Sequence, residues 1–204
     1  MAIIILDTET TDKDEGKRLI QLAYKNMETG EFVNEYFKPP MPISFGAMAV
    51  HHVTNEMVAD KKPFDESEHK ASVEELLKEN ILVAHNALFD IQVLKNEGLE
   101  IGEYLDTLRL ARHLIEGSEQ YSLQYLRYSL GLGVDASAHD ALGDVLVLEA
   151  LFEYLKKQAE EQFSLSSEEE VIKKLLELND MPVLLDKIGF GKHRGKLFAD
   201  IEKE

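Results

Sequence analysis

Cysteine is absent from the 204 residues of this chain, which excludes disulfides, thiolate zinc centres and cysteine nucleophiles together. Long apolar runs are absent too: nothing approaches the ~20 residues needed to span a membrane. The opening residues MAIIILD are too short for a signal sequence, so a cytoplasmic location without a membrane partner is expected. Basic residues are scarce, with 22 Lys and Arg against 39 Asp and Glu and a net charge of −17. That balance argues against a protein that coats nucleic acid through a basic surface. It admits one whose carboxylates collect divalent cations, because a bound metal reverses the local field. Repeats and low-complexity tracts are missing as well.

What is present is the mix of an ordinary globular protein, 44% hydrophobic and 30% charged. A chain of this length should bury about 70% of its unfolded surface, and roughly 150 residues per domain gives one domain plus an appendage. Residues 3–6 are wholly apolar, the pattern of a strand buried on both faces. Residues 19–27 and 31–38 read as two strands, joined into a hairpin by Met27-Glu28-Thr29-Gly30. Pro39, Pro40 and Pro42 stop any ladder and open a long loop. A polar helical stretch, 64–79, leads to a second buried strand at 81–84 and then to a helix, 87–96, closed by Gly98. Residues 106–115 and 122–130 read as helices opened by Asp106 and Ser122, the second ending at Gly131. A loop over 133–139 precedes the longest helix, 140–163. Early strands followed by strand–helix alternation predict an α/β domain with a mixed sheet. A boundary is expected at 164–167, dividing the chain into 1–163 and 164–204. Ser167 and Glu170 form a capping box there, starting a separate helix through about Leu178. The tail KIGFGKHRGK carries Lys187, Lys192, Arg194 and Lys196 with no acid.

The sharpest local signal is Leu6-Asp7-Thr8-Glu9-Thr10, directly after the first apolar strand. Two residues apart on an extended chain, Asp7 and Glu9 project from one face. Carboxylates that close raise each other's pKa unless a cation sits between them; the alternative is a polar strand end that simply leaves the sheet. Asp90, in Ala84-His85-Asn86-Ala87-Leu88-Phe89-Asp90, has apolar helical neighbours in Ala87, Val93 and Leu94. It is either a partnered acid or a first-turn acid favoured by the helix dipole. Asp144 interrupts the apolar stripe Ala141, Leu148, Leu151, Leu155 of the long helix, so it pairs with a base or holds a metal. His139, five positions earlier, stands in the loop entering that helix. His51, His52, His69, His113 and His193 read singly as solvated side chains, and His85 as a packed or capping histidine.

Four carboxylates and a histidine describe metal-dependent phosphodiester hydrolysis. Oxygen ligands suit Mg²⁺ or Mn²⁺, and two such ions about 4 Å apart clamp the attacking and leaving oxygens of an in-line displacement. A histidine of unperturbed pKa near ~6.5 can take the proton of the attacking water.

In order, the motifs LDTETT, AHNALFD and HDALGD resemble those of the DEDDh 3′–5′ exonucleases of the ribonuclease H-like fold, over about residues 1–160. The loop running from Pro42 to Lys61 and the element Phe190-Gly191-Lys192-His193-Arg194-Gly195-Lys196 are similar to those of the exonuclease X branch. The chain ends at Glu204, so the tail reads as an incomplete copy of that branch's C-terminal module. The resemblance implies a ribonuclease H-like exonuclease fold with a central mixed sheet flanked by helices. It also implies two Mg²⁺ ions, replaceable by Mn²⁺, on Asp7, Glu9, Asp90 and Asp144, with His139 as general base. DNA 3′ ends, single-stranded or duplex, are the expected substrate; RNA or short oligonucleotides are the alternative. Thr8, by its amide, and Thr10, Ala47, Met48, His51, His52, Asn86 and Phe89 are the expected substrate contacts. A DNA repair role, a repair or replication partner and a homodimer are compatible with it, as is a polymerase III proofreading subunit. A non-catalytic adaptor is the rival of another class. Where family members carry glycine and a hydrophobic residue after the first motif, this chain has Thr11-Asp12-Lys13-Asp14-Glu15, which departs from a strand-splitting wedge. The acidic balance predicts modest, steeply salt-dependent affinity for long DNA.

Overall fold

A computed structural model describes residues 1–134, 141–184, 191–193 and 196. Its centre is a five-stranded sheet in the order β3-β2-β1-β4-β5. The strands are β1 (Ile3–Thr10), β2 (Leu19–Asn26), β3 (Phe32–Tyr36), β4 (Ile81–Ala84) and β5 (Tyr104–Asp106). The first three form an antiparallel meander, and β1, β4 and β5 are mutually parallel. The hairpin turn is tight because Asn26 Oδ1 accepts the amides of Glu28 and Thr29, and Gly30 adopts φ 74°.

Strand alternation divides the core in two. Ile5, Ala23, Val83 and Leu105 face α4 (Thr107–Leu114), α5 (Leu123–Ser129), α6 (Ala141–Phe163) and α7 (Glu168–Asp180). Ile4, Leu6, Leu22 and Leu82 face α2 (His69–Glu79) and α3 (Leu88–Asn96). Among the described residues no helix is long and apolar enough to cross a membrane.

The expected elements are present, with instructive differences. β1 does not stop at Leu6 but continues to Thr10, because β2 pairs with it throughout. The loop after the prolines contains α1 (Phe45–His51), capped by the Ser44 hydroxyl on the Ala47 amide. The expected helix over 64–79 splits into a 3-10 turn (Phe64–Glu66) and α2. β5 was not foreseen; Asp106 ends that strand and then caps α4 by accepting the Leu108 amide. Ser122 precedes α5 without making a side-chain cap. The Ser167–Glu170 capping box is formed as expected, and α7 runs two residues further than expected, to Asp180. Its Val171, Leu175 and Leu178 join the same apolar cluster as α4 and α6, so α7 packs as part of that layer.

Candidate metal centre

Pairing between β1 and β4 ends at Ile5↔Val83, whereas β2 follows β1 to Thr10 with an irregularity between Glu9 and Thr10. The last half of β1 therefore projects past the end of β4, at the point where the sheet changes from parallel to antiparallel. Such a crevice at the carboxyl end of a strand is where open sheets bind ligands. Asp7 and Glu9 share their face with Ile3 and Ile5, toward α6, whose first turn supplies Asp144. One carboxylate oxygen from each of Asp7, Glu9 and Asp144 lies within 4.8 Å of the others. Asp144 is 9% exposed, and its Oδ1 accepts the Gln124 Nε2 amide of α5 at 2.5 Å. Three hard oxygen donors with no nitrogen or sulfur among them fit a divalent cation of the Mg²⁺ or Mn²⁺ kind.

Asp90 is held next to the same stretch of β1 by Thr8. Thr8 points to the opposite face from Asp7 and Glu9, and its hydroxyl and amide both donate to Asp90 Oδ1, at 2.7 and 3.1 Å. Asp90 is 3% exposed. Burial pushes its carboxyl up to about 7, against the Thr8 hydrogen bonds that favour the ionised form. The turn that delivers Asp90 is fixed from the far side. Asn86 takes a left-handed conformation, φ 65°, which asparagine tolerates better than most residues. Its amide donates to Asp106 Oδ1 at 2.9 Å, while the Asp106 amide donates to Asn179 Oδ1 of α7 at 2.8 Å. His85 is the packed histidine that was expected: Nε2 donates to the Tyr121 carbonyl and Nδ1 meets the Thr107 hydroxyl, both at 2.9 Å. Burial holds it below the usual histidine pKa.

Beside Glu9 opens a groove of about 270 Å³ lined by residues that include Thr10, Ala47, Val50, His51 and Phe89. α1 forms one wall and is tied to the end of β1, since the Ser44 amide donates to the Thr11 carbonyl at 2.9 Å. Contrary to the expectation of a solvated ring, His51 is buried. Its Nδ1 accepts the Val53 amide at 3.0 Å, which leaves the proton on Nε2 to donate to the Thr10 carbonyl at 3.3 Å. Burial lowers its pKa, so the ring is a neutral strut between α1 and β1.

Of the expected substrate contacts, Thr10, Ala47, His51 and Phe89 line this groove. Thr8 lies outside the groove lining, with its amide and hydroxyl both donating to Asp90. Met48 packs instead against the small apolar cluster of Ile20, Ile43, Val53 and Val58. His52 is the exposed left-handed cap of α1, and Asn86 is exposed at its turn. His139 lies outside the described residues. Sequence reasoning missed Lys17, which is 5% exposed with its Nζ 4.2 Å from the Phe89 ring centroid. It also missed Gln124; a polar i, i+3 pair with Arg127 on an otherwise apolar helix was the available signal.

Residues 4–152 match the model of the exonuclease family RNase_T. The chain is 31% identical over 204 residues to exodeoxyribonuclease 10 of Escherichia coli (strain K12), covering 97% of this chain and 84% of that protein. It is also 31% identical over 196 residues to DNA polymerase III subunit epsilon of Rickettsia prowazekii (strain Madrid E), covering 84% and 81%. Among solved structures, exonuclease X in complex with 5′-overhanging duplex DNA aligns with a TM-score of 0.66 at 29% identity, over 87% of this chain and 99% of that one. Escherichia coli exonuclease I in complex with a dT13 oligonucleotide shares the fold, with a TM-score of 0.64 at 19% identity over 80% and 42%. The mixed sheet, the acidic trio at its central strand and the family match over residues 4–152 agree: the chain belongs to the exonuclease family.

Proposed function

We propose that this protein is a 3′–5′ exodeoxyribonuclease that releases 5′-mononucleotides from DNA 3′ ends and serves in DNA repair. The observation that carries this reading is the meeting of Asp7, Glu9 and Asp144 oxygens within 4.8 Å, next to a groove walled by Phe89, Ala47 and Val50. Asp7, Glu9 and Asp144, together with Asp90, would hold Mg²⁺. Bound Mg²⁺, for which Mn²⁺ can substitute, supplies positive charge beside the scissile phosphate and acidity to the attacking water.

The chain's own residues do the rest. Phe89, backed by the buried Lys17, offers a face on which the terminal base can stack. The strut of His51 on the Thr10 carbonyl keeps the opposite wall in place while the nucleotide is seated. Thr8 holds Asp90 in one rotamer through two hydrogen bonds, so the acid is oriented before any cation arrives. His139 takes the proton from water as its oxygen attacks phosphorus. The bond from phosphorus to the 3′ oxygen of the shortened strand breaks, and that oxygen is protonated as the mononucleotide leaves.

A proofreading role is the second reading, favoured by the likeness to a DNA polymerase III subunit epsilon. The basic residues Lys187, Lys192, Arg194 and Lys196 would then tether the domain to a polymerase, which co-purification would reveal. A gel time course with 5′-labelled single-stranded DNA and RNA of one sequence, in Mg²⁺ and in chelator, tests the main reading. A Mg²⁺-dependent ladder shrinking from the 3′ end, faster on DNA, is expected. Faster loss of RNA would move the substrate class, and intact strands in Mg²⁺ and again after replacing it with Mn²⁺ would remove the enzymatic reading.

A further inference from the structure

Asp144 is the acid of the trio that arrives on a helix, and its orientation depends on what holds that side chain. Gln124, one residue into α5, donates its Nε2 to Asp144 Oδ1 at 2.5 Å. On its other side Gln124 Oε1 accepts Arg127 Nη1 at 3.3 Å. A guanidinium only donates, so the amide oxygen must face Arg127 and the amide nitrogen must face Asp144. Arg127 is itself buried, at 9% exposure, and its Nη2 holds the Val134 carbonyl at 2.5 Å. A hydrogen-bonded relay thus runs from Val134 through Arg127 and Gln124 to the first turn of α6.

We propose that Gln124 is a positioning residue for the metal centre, holding Asp144 in the orientation that completes the carboxylate trio, with Arg127 fixing the direction of its amide. This rests on the reading of Asp7, Glu9 and Asp144 as a cation site. The chemistry of the partner supports it. A lysine or arginine in contact with Asp144 would neutralise the carboxylate and compete with a cation. A neutral amide orients one oxygen and leaves the negative charge in place. The cationic end of the relay, Arg127, meets the oxygen of the amide and polarises it toward its N–H. Partners that orient metal ligands in this way typically contribute about 10–100-fold to metal affinity or activity.

The test is a Mn²⁺ titration of the metal-free protein, read by calorimetry and by the electron paramagnetic resonance signal of free Mn²⁺. Wild type, Gln124→Met, Gln124→Ala and Asp144→Asn are compared. Gln124→Met keeps the length of the side chain and removes the donor. Both Gln124 variants are expected to weaken Mn²⁺ binding by about 10–100-fold. Their melting curves in chelator should match wild type, and kcat at saturating Mn²⁺ should recover with KM for DNA little changed. Wild-type Mn²⁺ affinity in Gln124→Met would overturn the inference while leaving the cation site standing. Binding that is equally strong in wild type and Asp144→Asn would overturn the cation site, and the inference with it.

Discussion

Thr8 turns both its hydroxyl and its amide to Asp90, and the neighbours on either side of it point the opposite way. From this alternation come two predictions about single side chains. The Asp90 carboxyl is raised in the folded protein, from an unfolded value near ~3.9 to about 7. Protonation therefore favours the fold: the stability contributed is full below about pH 4 and is lost as pH rises through about 7. Asp90→Asn keeps the oxygen that Thr8 needs and stays neutral. In chelator, the melting temperature of Asp90→Asn minus that of wild type should be larger at pH 8 than at pH 5, by several degrees. A difference independent of pH would show that Asp90 does not titrate there. Asp7→Ala and Asp144→Asn should each abolish nuclease activity yet melt no lower than wild type in chelator, since removing one crowded carboxylate relieves repulsion. His139→Ala should retain Mn²⁺ binding and slow turnover by about 10²–10⁴-fold. The i, i+2 spacing made the shared face of Asp7 and Glu9 legible, and the apolar stripe of α6 marked Asp144. The Thr8–Asp90 and Gln124–Asp144 contacts were not legible, because each joins residues at least twenty positions apart and exists only once the helices pack.

Elements recognised from sequence are those whose pattern is local. The apolar run at 81–84 and the capping box at Ser167 fall where they were expected. Those that were missed are short and are defined by their neighbours. β5 is three residues, recognised only by its pairing with β4. α1 is seven residues directly after the prolines, and what fixes it is its tie to the end of β1. The end of β1 itself is polar, so its apolar run hid half of the strand. α7 bears on the expected boundary after residue 163. Leu175 is fully buried in the cluster shared with α4 and α6, and Asn179 bonds both the Asp106 amide and the Tyr104 carbonyl. Leu175→Ala should therefore cost about 2–5 kcal/mol in urea unfolding of the whole chain. Ser167→Ala should cost about 1 kcal/mol through its lost cap. A separate, earlier unfolding transition for residues 164–180 would instead mark an independent unit.

At the scale of the whole molecule, a net charge of −17 opposes the approach of DNA, and Lys13 in the groove lining is a cation placed to meet a strand. With about one phosphate contact, KM for a long single strand should rise roughly two- to threefold between 50 and 200 mM salt, following the counterion slope for single strands. Little change would mean that base stacking carries the affinity. Composition made the acidic balance legible at once. What it could not convey is that three of those acids converge where the sheet changes direction. That convergence is the central claim, and product analysis on a DNA strand labelled at either end tests it most directly, in Mg²⁺ and in chelator, for wild type and Asp7→Ala. The account predicts that the first product of wild type in Mg²⁺ is a 5′-mononucleotide from the 3′ end, with no product in chelator or from Asp7→Ala. Mononucleotides released in chelator, or from Asp7→Ala at the wild-type rate, would contradict it.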